Sequence, residues 1–292
     1  MLIEANGKTL FYTGDIQFED QCLIKGAEFP TEGIDTLIVE TTRGAIPRRP
    51  DYCREEEQER LCEAILHALD KGGSALIPVF AMGKTQEVLH MIHRFKKEGR
   101  IPHYTPVYIG GLSTKMTMIF DDFANTSYRK DKDFRFIEDM KLKVNSKKKA
   151  RRPIVYQKQA IFALSSGMMT EKTVSNNFER SFIYNPKNSL LFVGYADPES
   201  PGGKIKVAER GDLITLDPTQ EDVLFDCDRE VFDFSGHSHR DDILDYILKL
   251  DAENVFLVHG DLPASEWFQQ QINTRENRSQ VIIPTPAQRY EL

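Results

Sequence analysis

Three of the seven histidines in this chain lie close together in the sequence, in the segments Phe234-Ser-Gly-His237-Ser-His239-Arg-Asp241 and Val258-His259-Gly-Asp261. Imidazole and carboxylate groups are common zinc ligands, and histidine also exchanges protons near neutral pH. The spacing His-x-His-x-Asp is typical of a loop that supplies two imidazoles and a carboxylate to a metal ion. The region therefore predicts metal binding or acid–base chemistry, with a polar strand-end histidine as the plainer alternative.

Predicted strands and helices surround these histidines. An alternating run at 231–234 and a short apolar run at 254–258 predict strands, and apolar residues at helical spacing predict helices over 243–250 and 264–272. We therefore expect two adjacent strand ends to carry His237 and His259. The carboxyl ends of strands in an α/β sheet are the usual place for a ligand.

The remainder of the chain alternates between the same two kinds of element. Strands are predicted at 8–12, 34–40, 74–80, 107–109, 159–164 and 189–194, and helices over 55–69, from Gly83 onward, and over 115–123. This alternation predicts a parallel sheet covered by helices. The pair Gly202-Gly203 predicts a hairpin, and the charged segment 128–153 predicts a surface excursion. An Asn6-Gly7 turn predicts a hairpin whose first strand has few residues left to form it.

Composition limits the possible classes of protein. The chain has 292 residues, 40% of them hydrophobic, and no apolar run long enough to span a membrane. No signal peptide is evident and the four cysteines form no CxxC pair, so we expect a cytoplasmic protein without a membrane partner. The net charge of -7 argues against non-specific nucleic-acid affinity that arises from the overall charge of the protein. The basic stretch 141–152 predicts either a solvated face or a local phosphate-binding patch.

Two further loops have a composition suited to phosphate. Gly83-Lys84-Thr85 follows a predicted strand and opens a helix, but Pro78 stands where a nucleotide-binding loop needs its first glycine. Gly83 and Lys84 can still face a phosphate at a helix N-terminus. The second loop has small side chains and backbone N–H groups at a strand end, and an ordinary helix N-cap is its alternative explanation. It contains Ser165, Ser166, Gly167 and Met168.

The order of motifs resembles that of β-CASP metallo-β-lactamase-fold nucleases, RNA-processing enzymes related to the cleavage and polyadenylation endonuclease. The motifs that carry the resemblance are Thr13-Gly-Asp15, Val39-Glu40-Thr-Thr-Arg-Gly44, Pro78-Val-Phe-Ala-Met-Gly-Lys-Thr-Gln-Glu87, Ser165-Ser-Gly-Met168, Phe234-Ser-Gly-His237 and Val258-His-Gly260. The resemblance implies an α/β fold in which residues 1–44 and 234–292 form the later part of a metallo-β-lactamase αββα sandwich. Residues 45–233 would be an inserted β-CASP parallel-sheet domain, with the active site in the cleft between the two.

The resemblance also implies residue roles in RNA hydrolysis. Asp15 and His259 would be zinc ligands, and His237, oriented by Glu40, would protonate the leaving oxygen as general acid. The loops at 83–84 and 165–168 would cradle backbone phosphates. Lys84 stands where arginine is usual, which keeps the charge but loses the bidentate fork. His239 stands where aspartate is common.

The main departure from the family pattern is that an HxHxDH motif should precede Asp15, whereas the first histidine of this chain is His67. The complete family site holds two zinc ions, so we expect this chain alone to hold one or none. The first hypothesis is a zinc-dependent ribonuclease whose first half is truncated, mis-annotated or encoded separately, and it predicts that the isolated chain hydrolyses RNA very poorly or not at all. A non-catalytic RNA-binding or scaffolding subunit is the second. A separate metal site of His237, His239 and Asp241 is a third possibility, and a homodimer is a further expectation.

Overall fold

The computed structural model describes residues 1–143, 154–275 and 278–290. Most of the basic stretch 141–152, including Lys147, lies outside the described residues. The chain divides into two compact units by its internal contacts. Unit 1 consists of residues 1–20, 26–52 and 236–292, and unit 2 consists of residues 21–25 and 53–235. The assignment of the domain limits 1–44, 45–233 and 234–292 stays a prediction.

The secondary structure alternates between strands and helices along much of the chain. The strands are β1 (Leu2–Ala5), β2 (Lys8–Tyr12), β3 (Thr36–Glu40), β4 (Ala75–Pro78), β5 (Val107–Gly110), β6 (Ile161–Leu164), β7 (Ser189–Phe192), β8 (Leu213–Ile214), β9 (Val223–Leu224), β10 (Asp228–Val231), β11 (Asn254–Val258) and β12 (Gln280–Ile282). The helices are α1 (Arg54–Asp70), α2 (Lys84–Lys97), α3 (Leu112–Asp122), α4 (Phe136–Asp139), α5 (Val174–Glu179), α6 (Pro201–Val207), α7 (Arg240–Leu250) and α8 (Leu262–Asn273).

Unit 1 is built on a sheet of order β1-β2-β3-β11-β12, in which β2, β3, β11 and β12 run parallel. Leu37 and Val39 of β3 and Val255 and Leu257 of β11 are buried in one apolar cluster, together with residues of α7 and α8. A parallel sheet needs helical cover, and the apolar residues of α7 recur at the spacing that provides it. The carboxyl ends of three neighbouring strands therefore open at one edge of this unit.

Unit 2 contains a sheet of order β10-β7-β4-β6-β5, in which every neighbouring pair is parallel. Strands β4, β6 and β7 are buried along their whole length, as expected for central strands covered on both faces. Helix α1 begins with three acidic residues in its first turn, which favours the helix dipole. The parallel α/β architecture predicted from the alternation is confirmed in both units.

Two local predictions are wrong. Residues 201–207 form helix α6 rather than a hairpin, because Pro201 occupies its first turn and the Ser200 hydroxyl accepts a hydrogen bond from the Gly203 amide at 3.1 Å. Segment 128–143 is not a surface excursion, since Phe134 and Phe136 are buried in the core of unit 2. The Asn6-Gly7 turn does form a hairpin, with β1 paired antiparallel to β2.

Within the described residues, no helix is both long and apolar enough to cross a membrane.

Candidate active site

Three parallel strands of unit 1 deliver polar residues to one edge of its sheet. Asp15 lies shortly after β2, Glu40 is the last residue of β3, and His259 follows β11 directly. The register aligns Glu40 with Val258, so the ends of β3 and β11 coincide. Strands that end together at the carboxyl edge of a parallel sheet bring their loops together, which makes this edge the expected ligand site.

His237 reaches the same site by a different route. It lies in the loop between β10 and α7, and β10 belongs to the sheet of unit 2. The expectation that His237 and His259 follow adjacent strands is therefore wrong, because the strand next to β11 is β3. Ser238 holds the loop in place through its backbone and its side chain: its amide donates to the Ile16 carbonyl at 2.6 Å, and its hydroxyl accepts from the Phe18 amide at 2.8 Å.

Glu40 orients His237. Its carboxylate oxygens lie 2.8 and 2.9 Å from His237 Nδ1, and the Ile16 amide donates to Glu40 Oε1 at 2.6 Å. Glu40 is 1% exposed, and this burial alone would raise the pKa of its carboxyl group. The hydrogen bond and the charge of His237, the Ile16 amide and the Thr42 side chain together outweigh burial and hold the pKa below its ordinary value. Glu40 is therefore ionised at neutral pH.

A possible ligand set for a metal ion is formed by Asp15, His237 and His259. Each offers one ligand atom, and the three atoms lie within 4.8 Å of one another. His259 Nδ1 is 3.3 Å from Asp15 Oδ1, and the two side chains are 58% and 62% exposed. Two imidazoles and a carboxylate, open to solvent on one side, match the three protein ligands and open position of a catalytic zinc site. The donor set thus fits one zinc ion.

Sequence reasoning missed the residues that hold His259 in place. The Thr42 hydroxyl donates to the His259 carbonyl at 2.8 Å and lies 3.2 Å from His259 Nδ1. Gly260 packs so closely on Thr41 that an added Cβ would lie 2.3 Å from Thr41 Oγ1. Both threonines belong to the motif that starts at Val39. The sequence alone does not indicate which histidine a hydroxyl next to a strand end will contact in the folded protein.

His239 and Asp241 are placed away from this ligand set. His239 is 4% exposed, stands at the N-cap of α7, and has its ring centroid 5.0 Å from that of Tyr52. Asp241 lies in the first turn of α7. Among the described residues, the group of histidines and acids close enough to share a metal contains neither of them. The third possibility, a metal site formed with His237, has no support in this geometry.

The two predicted phosphate loops lie side by side in unit 2. Strands β4 and β6 are neighbours, and the loops that follow them meet where an added Cβ on Gly167 would lie 3.2 Å from the Phe80 amide. Gly83 is the N-cap of α2 with φ of 76°, a conformation that favours glycine. The sequence reasoning therefore selected residues that the fold brings together, and their role stays a prediction.

Several polar groups of these loops already have hydrogen-bond partners within unit 2. Lys84 Nζ donates to the Phe234 carbonyl, and burial lowers the pKa of this lysine to about 8. Ser165 is 8% exposed and its hydroxyl donates to the Gly110 carbonyl at 3.4 Å. The Ser166 hydroxyl lies 3.2 Å from that of Thr170, and the Met168 carbonyl accepts from the Gly202 amide. The N-cap of the following helix α5 is Thr173, so an N-cap role does not explain the serines.

Two family models match the chain. The Beta-Casp domain matches residues 85–205, and the Zn-dependent metallo-hydrolase RNA specificity domain matches residues 223–284. The first match lies within unit 2, and the second begins in unit 2 and continues into unit 1. Both matches agree with the order of motifs read from the sequence.

Curated relatives align over most of the chain. Transcription termination factor FttA of Methanothermobacter thermautotrophicus is 30% identical over 271 residues, which cover 86% of this chain and 41% of FttA. The RNase J-like protein of Methanocaldococcus jannaschii is 26% identical, with 89% and 60% covered. Cleavage and polyadenylation specificity factor subunit 3 of Dictyostelium discoideum is 26% identical, with 98% and 36% covered. The chain thus spans less than two thirds of the length of each of these relatives.

One solved structure supports the fold. It is a protein of unknown function from Enterococcus faecalis V583, with a TM-score of 0.51 and 12% identity, covering 97% of this chain and 58% of that protein. At this identity the similarity concerns the fold alone.

Proposed function

The chain belongs to the β-CASP family of metallo-β-lactamase-fold proteins, and from this membership we propose that it acts in zinc-dependent hydrolysis of RNA phosphodiester bonds. The observation that carries the proposal is the convergence of Asp15, His237 and His259 at one sheet edge, with Glu40 on His237. Termination factors, an RNase J-like protein and a polyadenylation factor among the relatives support RNA as the substrate.

Asp15 and His259 would hold the zinc ion, with His237 near enough to join them. A bound zinc ion would supply Lewis-acid stabilisation of the charge that develops during hydrolysis. His237 has its own task in this proposal. Because Nδ1 is engaged by Glu40, the ring exchanges protons through Nε2, and it donates one to the leaving oxygen. The ionised Glu40 stabilises the imidazolium form and keeps the ring oriented.

The loops at 83–84 and 165–168 are proposed to face the RNA backbone. Backbone N–H groups in such loops hydrogen-bond phosphate oxygens without reading base sequence. Gly83 suits this role because no atom lies within 4 Å of the position of an added Cβ, which leaves space for a phosphate to approach the start of α2. We also propose a cytoplasmic location, in keeping with four cysteines that are all free thiols. A second zinc ion, with ligands from a separate chain, is a further part of the proposal.

The test measures zinc and RNA cleavage separately on purified residues 1–292. After saturation with zinc and removal of the excess, we expect at most one bound zinc ion per chain, measured by inductively coupled plasma mass spectrometry, because Asp15 and His259 supply only two ligands. Asp15→Ala and His259→Ala should lower zinc affinity at least tenfold, since each removes a ligand. Cleavage of a labelled RNA by residues 1–292 alone should be slow, and His237→Ala should retain most of the zinc but lower this cleavage by a further factor of about 10² or more.

The matched control is His103→Ala, which removes an exposed histidine of unit 2 and should change neither measurement. Loss of zinc with His237→Ala, as large as with His259→Ala, would make His237 a ligand instead of the acid. Salt-sensitive RNA binding without any zinc-dependent cleavage would overturn the enzymatic proposal and favour the non-catalytic RNA-binding hypothesis.

A further inference from the structure

Helix α3 of unit 2 buries two polar residues and exposes several large apolar residues, while its Phe120 packs partly buried against the core. Its buried residues are Ser113 and Thr117, whose hydroxyls contact α2: Ser113 Oγ lies 3.0 Å from Thr85 Oγ1, and Gln86 Nε2 donates to Thr117 Oγ1 at 2.9 Å. Several of its large apolar residues face outward. This inverts the usual pattern of a surface helix, in which the apolar stripe faces the core.

The outward apolar residues form a regular line, which we call the α3 stripe: Leu112, Met116, Ile119 and Phe123. Leu112, Ile119 and Phe123 are 56%, 38% and 60% exposed, and Met116 is half-buried. Their spacing of four, three and four residues is the a/d repeat of a coiled-coil seam. A helix that presents such a seam to solvent is suited to receive another helix.

The charges beside the α3 stripe indicate which helix it receives. Lys115 and Asp122 occupy the same flank one heptad apart, and among the described residues the side chain of neither takes part in a hydrogen bond or an ion pair. When two copies of α3 pack antiparallel, Leu112 meets the Phe123 of the copy and Met116 meets its Ile119. The flank then places Lys115 of each copy beside Asp122 of the other, about 3 Å apart along the axis at a rise of 1.5 Å per residue.

We propose that the α3 stripe is the contact between two copies of this chain, packed as an antiparallel pair of α3 helices. The self-complementary flank supports a second copy over an unrelated partner, because one helix supplies both members of each ion pair. An isologous contact of this kind closes as a two-fold dimer. Four side chains from each helix make a small contact, so the dimer should be weak and depend on concentration.

The test is sedimentation equilibrium of residues 1–292 at concentrations from about 5 to 500 µM, a range chosen for a weak interface. Wild type should pass from monomer to dimer within this range. Phe123→Glu should remain monomeric throughout. Lys115→Asp and Asp122→Lys should each weaken the dimer by about tenfold, since each variant places like charges opposite one another twice.

Mixing the two charge variants gives the decisive measurement. In the heterodimer of Lys115→Asp with Asp122→Lys, both flanks are again oppositely charged, so the mixture should associate to within about threefold of wild type. The control is Met118→Ser, which removes an exposed apolar side chain of the same helix that lies off the stripe, and it should dimerise normally. Circular dichroism melts confirm that each variant is folded.

A wild-type chain that stays monomeric at 500 µM overturns the proposal and leaves the α3 stripe to a different partner. A dimer that survives Phe123→Glu also overturns it, because the contact must then lie elsewhere. Failure of the mixed charge variants to associate rejects the antiparallel register. None of these outcomes depends on whether the chain cleaves RNA.

Discussion

Unit 1 and unit 2 each bury a glutamate, and the two carboxyl groups behave in opposite ways. Glu40 of unit 1 is 1% exposed and its pKa is lowered, whereas Glu179 of unit 2 is 0% exposed and burial raises its pKa well above the ordinary value. Glu40 accepts hydrogen bonds from the Ile16 amide and meets His237. Among the described residues, neither carboxylate oxygen of Glu179 has a hydrogen-bond partner.

The comparison shows that donors, more than burial, decide the charge of a buried carboxyl group. Desolvation favours the neutral form at both positions, and only Glu40 has enough donors to reverse the effect. A charged Glu40 can stabilise an imidazolium ion on His237. A neutral Glu179 has no such partner and lies in the interior of unit 2 as a cost to its stability. The same residue type therefore supports chemistry in one unit and weakens the fold in the other.

The largest expected effect is on catalysis by Glu40→Gln. The amide keeps the size of the side chain but carries no charge, so the imidazolium form of His237 and its tautomer lose their support. We expect cleavage of a labelled RNA to fall by about 10²–10³-fold with zinc content unchanged. Glu179→Gln is the matched control and should leave cleavage within about twofold of wild type. Equal losses in both variants would mean that Glu40 acts through general stability alone.

The second largest effect that we expect is a change in the free energy of unfolding caused by Glu179→Met. Methionine fills a similar volume without buried polar atoms, so we expect the free energy of unfolding at pH 7 to rise by about 1–3 kcal/mol. The folded pKa of Glu179 lies above the unfolded value of 4.5. Its contribution to the free energy of unfolding of wild type is therefore most favourable below pH 4.5, and wild type loses stability as pH rises toward the folded pKa. Urea denaturation at pH 4, 5.5 and 7 should show a difference between variant and wild type that grows with pH.

A constant difference across these three pH values would show that the pKa of Glu179 is the same in the folded and the unfolded protein, so that burial does not raise it. A destabilised Glu179→Met variant would mean instead that the carboxyl group has a favourable interaction that burial alone does not reveal.

For Glu40→Gln we expect a smaller change in the free energy of unfolding, and of opposite sign to that for Glu179→Met. Its folded pKa lies below 4.5, so its contribution is fully present above pH 4.5 and is lost as pH falls through the folded value. The free energy of unfolding of Glu40→Gln should therefore be lower than that of wild type by about 1 kcal/mol at pH 6. The difference should shrink below pH 4.5. Metal-free protein is used so that zinc binding does not contribute, and a pH-independent difference would contradict the assignment.

The sequence was sufficient to predict the strand that ends at Glu40 and the strand that ends just before His259, because apolar runs bounded by polar turns are a strong local signal. It could not predict that His237 approaches β3 from a strand of another sheet, since sheet order depends on pairing between distant residues. It also could not reveal the pKa difference between Glu40 and Glu179. Both are glutamates in ordinary sequence surroundings, and only the folded chain determines which amides and side chains lie within hydrogen-bond distance.

The phosphate loops of unit 2 contain a buried cation, Lys84, to which the same comparison of burial and hydrogen-bond partners applies. Its substitution has the smallest effect that we expect. Lys84 was selected because a basic residue at a helix start suits a phosphate, yet its ammonium group donates to the Phe234 carbonyl and burial lowers its pKa to about 8. A desolvated lysine with a backbone partner has less charge to offer RNA than an exposed one. We therefore expect Lys84→Met to weaken RNA binding only about twofold, with the slope of log affinity against log salt reduced by less than 1.

The pH dependence of stability provides the second measurement on the same variant. A folded pKa of about 8, below the ordinary 10.5, means that wild type gains stability as pH rises from 8 toward 10.5. Lys84→Met should lack this gain, while Lys97→Met, which removes an exposed charge at the other end of α2, should keep it. A tenfold loss of RNA affinity with a full unit of salt slope, and no change in the pH profile, would show that Lys84 releases Phe234 to bind phosphate. In that case, polar groups at the strand ends of both units would interact with the RNA substrate.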